Sequence, residues 1–375
     1  MKRFQQLTQS ITGVIGLQRY GIGIELGSST ARLVFNGQFA VEQPSIAIEH
    51  ASMGSVHTSS LPVSMRPDMK VNKQGRSSLQ STSQFHHPLL HTMPLVQNGV
   101  VTQVKAARTM IQSMVAELSE QPDFMHQYQG WCVVPSGATP LELEIINASL
   151  PVPVGLEWRL IPKGLLHQLS AVKRFSDTGM TAIIDIGADI TEVSISQNAI
   201  QNVDYNRVQS MWPEAQRLSQ TLYWGTRDLE RQLQMVIRDQ YQVQLSSEAF
   251  RSLYTQLGDT LFSATVESKA KFAVRAQSLA TGRPVTVTLH ARELQPAFIE
   301  WFDYLTTGLS VLFQRYQAPW LANTLEQGVI VVGGGAAIAD VVPALAEFLS
   351  VPTTSVPQPR NWTVTGLEIL TKQVT

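Results

Sequence analysis

The chain has 375 residues, a formal net charge of −1, 43% hydrophobic and 15% charged residues, and one cysteine. That length supports two or more domains with ample core, and the near-neutral charge argues against nucleic acid as a partner. The lone Cys132 excludes an intramolecular disulfide and fits a reducing compartment; with no apolar run of the ~18 residues of a transmembrane helix and no evident secretory signal, a cytoplasmic location is expected.

Residues 1–15 carry Phe4, Leu7, Ile11, Val14 and Ile15 at helical spacing behind Lys2 and Arg3, with glutamines on the other face. A short amphipathic helix with a basic start suits a membrane surface. A helix packed on the domain, or a frayed tail, fits the same pattern, and Gly13 and Gly16 weaken its end. In residues 21–30, Ile22, Ile24 and Leu26 alternate with small residues or a carboxylate, residues 31–35 resume an apolar run, and Asn36-Gly37 follows. Asn-Gly between two extended runs predicts a hairpin whose turn residues take φ > 0. Gly27, Ser28, Ser29 and Thr30 then sit at a tip offering backbone N–H groups and hydroxyls to an anion, with Glu25 beside them for a hydrated cation. An ordinary hairpin tip is the alternative.

Residues 51–84 shift to Ser, Gln, Met and Pro with little periodicity, which predicts a small insertion. His86, His87 and His91 lack a standard ligand spacing and an adjacent carboxylate, so a solvated loop is expected there. Val104, Ala107, Ile111, Met114 and Leu118 share one helical face. The polar loop 121–129 carries Phe124-Met125, either a core plug or an insertion into a partner or membrane. Residues 131–134 read as a buried strand, which makes Cys132 a packed thiol and not a nucleophile. The loop 135–140 opens a helix through Glu142 and Glu144.

Residues 181–191 repeat the opening pattern. A hydrophobic strand carries Asp185 near its end, runs into Gly187-Ala188-Asp189-Ile190-Thr191, and continues through the alternating Val193 and Ile195. Two such units, half a chain apart, predict an internal duplication with two phosphate-gripping turns facing each other across a cleft. Residues 205–258 read as a mainly helical, polar second insertion. Residues 284–289 alternate as a strand, and a long amphipathic helix starts at Ala291 and runs through Phe298, Phe302, Leu305 and Leu309. Residues 328–332 are a buried strand ending in Gly333-Gly334-Gly335-Ala336-Ala337. Three glycines there let a flat ligand such as a nucleoside approach the backbone, with a helix N-terminus facing phosphate; a tightly packed strand-to-helix turn is the alternative.

Two phosphate hairpins followed by a Gly-Gly-Gly loop resemble the actin, heat-shock chaperone and sugar-kinase superfamily, and within it most closely the bacterial actins of the MreB family. The resemblance runs from about residue 21 to the C-terminus. Its collinear segments are residues 25–30 (ELGSST), 43–45 (QPS), 94–101 (PLVQNGVV), 134–139 (VPSGAT), 185–187 (DIG), 282–284 (GRP) and 333–335 (GGG). It implies an α/β fold of actin-like duplicated ribonuclease-H-type domains with a nucleotide cleft between them and two small insertion subdomains. After an amphipathic helix at 1–16, subdomain IA would comprise 17–49, 87–157 and 352–375, with IB at 50–86. Subdomain IIA would comprise 158–204 and 259–351, with IIB at 205–258.

The resemblance further implies ATP and Mg²⁺ as cofactors, weak ATP hydrolysis, and a homopolymer of paired filaments peripheral at the inner face of the cell membrane. Partners would be inner-membrane lipid and cell-shape or cell-wall membrane proteins. Phe4, Leu7, Ile11, Phe124 and Met125 fall where MreB proteins insert into the bilayer. Gly27 to Thr30 match the first phosphate loop, and Gly187, Ala188, Asp189 and Thr191 fall in the second. Asp185, with Glu25, matches the carboxylates that hold Mg²⁺ through water. Glu142 matches the residue that orients the attacking water, a role needing a hydrogen-bond acceptor near the γ-phosphate; a first-turn helix acid favoured by the dipole is the plainer reading. Gly333, Gly334 and Gly335, with Ala336, match the adenosine loop, and Gly225 joins the nucleotide-binding set.

The departures are specific. Glu25 replaces the family's Asp. The family's Gly-Gly-Gly-Thr-Thr becomes Gly187-Ala188-Asp189-Ile190-Thr191, so Ile190 replaces a hydroxyl and Asp189 brings a negative charge. Two like charges ~4 Å apart repel by roughly 4 kcal/mol at an effective dielectric of 20. The residues that grip adenine and ribose fall at Tyr254 and Arg251. These changes keep open a non-hydrolysing scaffold of the PilM or FtsA kind and a magnetosome-type filament. A small-molecule kinase of the superfamily lacks a general-base Asp in a sugar-site context here.

Overall fold

The computed structural model describes residues 19–50, 90–118, 127–152, 156–174, 181–196, 212–213, 217–246, 249–250, 252–253, 271–316, 318–338 and 340–374. Phe4, Leu7, Ile11, residues 51–86, Phe124, Met125, Arg251 and Tyr254 lie outside the described residues.

Alternating apolar residues build two five-stranded sheets. The first contains β1 (Arg19–Leu26), β2 (Thr30–Phe35), β3 (Gln38–Pro44), β4 (Gln127–Val134) and β5 (Leu156–Pro162), in the order β3-β2-β1-β4-β5. The second contains β6 (Thr181–Ile186), β7 (Thr191–Ser196), β8 (Ser219–Leu222), β9 (Val329–Val332) and β10 (Thr353–Ser355), in the order β8-β7-β6-β9-β10. The orders are the same permutation, and in both the first strand pairs antiparallel on one side and parallel on the other. The expected duplication is therefore present strand by strand. It puts Glu25 and Asp185 at equivalent places, each next to last in its strand. Their cross-strand partners differ: Arg32 faces Glu25, and Glu192 faces Asp185.

Asn36 and Gly37 take φ of 47° and 76°, the expected hairpin turn. Asn98 and Gly99 make a second such turn, with φ of 51° and 76°, between Val96–Gln97 and Val100–Val101. The helices are α1 (Val104–Ala116), α2 (Pro140–Ser149), α3 (Lys163–Arg174), α4 (Thr226–Tyr241), α5 (Ala291–Phe313), α6 (Ala318–Glu326), α7 (Val341–Leu349) and α8 (Trp362–Lys372). Ala107, Ile111 and Met114 of α1 bury the predicted face in a core with Ile22, Ile24 and Cys132. Burial pushes the Cys132 thiol up to about 12, which fits an inert packed residue.

Helices α3 and α8 join the halves. Helix α3 leaves the first sheet and packs on β7, α8 leaves the second and packs on β1 and β2, and the two lie against each other. Leu165, Leu166, Leu367 and Leu370 close this seam with Trp131. Among the described residues no helix is long and apolar enough to cross a membrane.

The subdomain limits shift where a strand needs its ladder, because buried backbone N–H and C=O groups must be paired. The expected division at 157/158 falls inside β5, which pairs with β4 as far as Pro162. The division at 351/352 precedes β10, which pairs with β9. The second insertion continues past residue 258: Lys271–Ser278 and Pro284–His290 form a three-stranded antiparallel sheet with Val243–Gln244.

Candidate functional site

A cavity of about 450 Å³ lies between the halves. It is lined from one side by Glu25, Gly27, Ser28, Ser29 and Thr30, and from the other by Asp185, Gly187, Ala188 and Asp189. Gly333 and Gly334 also face it. The two turns are built alike, with Gly27 N donating to Thr30 O at 3.0 Å and Gly187 N donating to Ile190 O at 2.9 Å. The size suits a nucleotide-sized ligand.

Five expected residues do not line the cavity. Thr191 is buried, and its Oγ1 donates to Trp224 O at 2.8 Å. Gly225 packs on the second turn: a Cβ there would lie 2.3 Å from Ala188 O. Its neighbours Thr226 and Arg227 donate their backbone N–H groups to Gly187 O and Ala188 O, so the start of α4 is used by the turn and not by an anion. Gly335 fits against Ile186, whose Cγ2 would lie 2.3 Å from an added Cβ, and Ala336 is buried in the second core. Gly333, at φ 85°, would place a Cβ 2.1 Å from Asp185 Oδ1, whereas a Cβ on Gly334 would meet nothing within 4 Å. Gly333 and Gly335 thus leave no space for a side chain, whereas one on Gly334 would enter open space.

Glu142 is the fifth. Its Oε2 accepts from Thr139 N at 2.7 Å while Thr139 Oγ1 accepts from Glu142 N at 3.4 Å, the reciprocal cap of α2. Glu142→Ala is expected to lower stability by about 1 kcal/mol, read from a urea midpoint. An unchanged midpoint would mean that the cap contributes nothing.

The cavity also holds cations that the sequence reading did not single out: Arg32, Lys163, Arg227 and Arg360. Lys163, the first residue of α3, places Nζ 2.5 Å from Asp185 Oδ2. His167, one turn on, places Nε2 3.1 Å from the same oxygen and Nδ1 3.0 Å from Ser194 Oγ. Burial alone would raise the Asp185 carboxyl, but Lys163 and His167 outweigh it and hold it well below the usual carboxylate range. Burial would lower the Lys163 ammonium; Asp185, Glu25 and Glu192 hold it above its ordinary value instead. Glu192 is fully buried, accepts a hydrogen bond from Ser136 Oγ, and is raised by burial.

Arg32 bridges Glu25 and Glu42, each at 3.2 Å, and donates to Arg360 O at 2.8 Å. Asp189 is neutralised: Arg227 Nη1 lies 2.8 Å from its Oδ1 and 2.9 Å from its Oδ2, with the hydrogen bond going to Oδ2. Asn98 N donates to Oδ2 at 2.8 Å, and Arg227 Nη2 donates to Ser28 O at 2.8 Å. Arg227 therefore links the second turn to the first across the cleft, and the repulsion expected of Asp189 is cancelled by its own ion pair.

A water-held divalent cation needs carboxylate oxygens open to its hydration shell. Asp185 Oδ2 is taken by Lys163 and His167, Oδ1 lies against Gly333, and Glu25 Oε2 is held by Arg32. Among the described residues no group of three or more His, Cys, Asp or Glu side chains could hold a metal ion. Glu25 and Asp185 are thus ion-pair partners of Arg32 and Lys163, and the positive groups beside them do not suit the Mg²⁺ that the resemblance implies.

Two α/β halves of one topology, joined by crossing helices and facing each other across a cleft lined by their equivalent turns, define an actin-type fold. The chain belongs to the MreB/Mbl family, whose model (MreB/Mbl protein) matches residues 19–375. The cell shape-determining protein MreB of Haemophilus influenzae is 23% identical over 355 residues, covering 94% of this chain and 92% of that protein. Among solved structures, MreB5 of Spiroplasma citri bound to ADP superposes with a TM-score of 0.70 at 18% identity, covering 95% of this chain and 97% of the other. A MamK double helical filament superposes with a TM-score of 0.65 at 18% identity, covering 94% and 98%.

Proposed function

We propose that this chain is a bacterial actin that binds ATP between its halves, polymerises with copies of itself into paired filaments, and acts in cell shape at the inner face of the cell membrane. The observation that carries the nucleotide reading is the pair of equivalent turns, residues 27–30 and 187–190, set across one cavity beside Gly334. The ADP in the Spiroplasma MreB5 structure supports it, and the MamK filament supports self-assembly. Membrane attachment rests on the sequence: a basic amphipathic segment with Phe4, Leu7 and Ile11, and the apolar pair Phe124-Met125, supply the two anchors that stable peripheral binding needs. Cell-shape or cell-wall membrane proteins are the partners this placement calls for.

The site favours holding ATP over hydrolysing it. Glu142 is engaged in a helix cap, the Thr191 hydroxyl bonds Trp224 O, and Ile190 lines the cavity where the family carries a hydroxyl. This specifically supports a slow or non-hydrolysing filament. The full chain mixed with ATP and vesicles containing anionic lipid is expected to give paired filaments on the membrane by electron microscopy, with phosphate release close to background. Monomers at high concentration with every nucleotide tried would overturn the filament reading, and brisk phosphate release would overturn the holding role.

A further inference from the structure

We propose that the cleft holds the polyphosphate of its nucleotide without a divalent cation, the Lys163 ammonium and the Arg32 guanidinium supplying the positive charge. This deepens the nucleotide reading above and rests on it. Lys163 stands at the seam between the halves, with its side chain 14% exposed, and its salt bridge to Asp185 lies on the cavity wall. An ammonium has three N–H donors, and Asp185 is its one acceptor among the described residues. Two donors therefore remain for phosphate oxygens.

Arg32 is similar. Its Nε donates to Glu42, and its Nη1 donates to Glu25 and to Arg360 O, while Nη2 makes no hydrogen bond among the described residues. A guanidinium with a free donor edge suits phosphate oxygens.

A metal ion has no equal place here. A divalent cation on Asp185 would sit against the Lys163 ammonium and be repelled by it. Moving Lys163 aside would leave a charge with little access to water and no partner. The second Asp185 oxygen lies beside Gly333, where an added carbon would come within 2.1 Å of it, and a cation held there would still stand next to the Lys163 ammonium. Across the cleft, Glu25 Oε2 is held by Arg32 at 3.2 Å, so a cation there would also meet a positive neighbour. Asp185 is thus paired with Lys163, and Glu25 shares Arg32 with Glu42, all within the chain.

The test is isothermal titration of the full chain with ATP, in excess EDTA and in excess MgCl2. The expected result is one dissociation constant, equal within about threefold, in the two buffers. Binding that needs magnesium overturns this proposal and leaves the nucleotide reading standing. No binding in either buffer overturns both. Lys163→Met adds a second arm: in EDTA its ATP affinity is expected to fall at least about tenfold, with magnesium restoring part of the loss at the vacated Asp185. Wild-type affinity for Lys163→Met in EDTA would also overturn the proposal. If that variant does not fold, the wild-type comparison decides alone.

Discussion

Asp185→Asn is expected to lower the unfolding free energy by about 3–5 kcal/mol, because it leaves the half-buried Lys163 ammonium and the buried His167 ring facing a neutral amide. Asp185 is 3% exposed and sits between the Lys163 ammonium and the His167 ring, which is itself fully buried. Attraction between the members of such a group only offsets the loss of hydration, so the large effect comes from breaking the group and not from the intrinsic worth of the pair. The double variant Lys163→Met/Asp185→Leu is accordingly expected to lie within about 1 kcal/mol of wild type or above it, since apolar replacement of a buried pair is often neutral or stabilising.

The pH dependence has a definite sign. The Asp185 carboxyl is held below its ordinary 3.8, so its contribution is present above that value and is lost as pH falls through the folded value. Glu192 runs the other way: its folded value is raised above 4.5, so its contribution is present below that and is lost as pH rises through the folded value. Urea unfolding across the acid range is expected to show a shallower acid limb in Asp185→Asn than in wild type. A loss under about 1 kcal/mol would mean that water screens the pair.

The features legible in the sequence are local ones. Strand alternation, a small-residue turn and a resumed strand lie within about ten residues, and reading that pattern twice was enough to give the duplicated halves and the cleft between them. Asn36-Gly37 announced its hairpin in the same way. Asn98-Gly99 carried the same signal, and reading it as a turn would have pointed to the N–H that holds Asp189. The cations were out of reach. Arg227 meets Asp189 across 38 residues and Ser28 across 199, so only the packing of α4 on the second turn brings them together. Lys163 carries no local signal in the sequence. It becomes part of the site only because α3 crosses from one half to the other and sets its first turn beside β6. The end of the second insertion was misplaced for a related reason: Lys271–Ser278 and Pro284–His290 form a local hairpin, and only its pairing with the distant Val243–Gln244 ties it to the insertion.

The triple glycine separates fold from ligand. Gly333→Ala is expected to destabilise by at least about 1–3 kcal/mol, the usual strain of a non-glycine residue in a left-handed conformation. Its φ is 85°, and the new carbon would press on Ile186 O at 2.5 Å and on Asp185 Oδ1 at 2.1 Å. Relief must come from β6 or from the Asp185 side chain, so the Lys163 pair would loosen too. Gly334→Ala is expected to behave in the opposite way. Its backbone has φ −65° and ψ −33°, which alanine adopts freely, and its added carbon meets no protein atom within 4 Å. Stability should hold or rise by up to about 1 kcal/mol, because the unfolded chain loses freedom. ATP affinity should fall, because the methyl group stands in the space against which a flat base would lie. The urea midpoint and the ATP dissociation constant report the two effects separately. A normally stable Gly333→Ala would show that β6 yields easily, and unchanged affinity in Gly334→Ala would place the nucleoside elsewhere in the cleft.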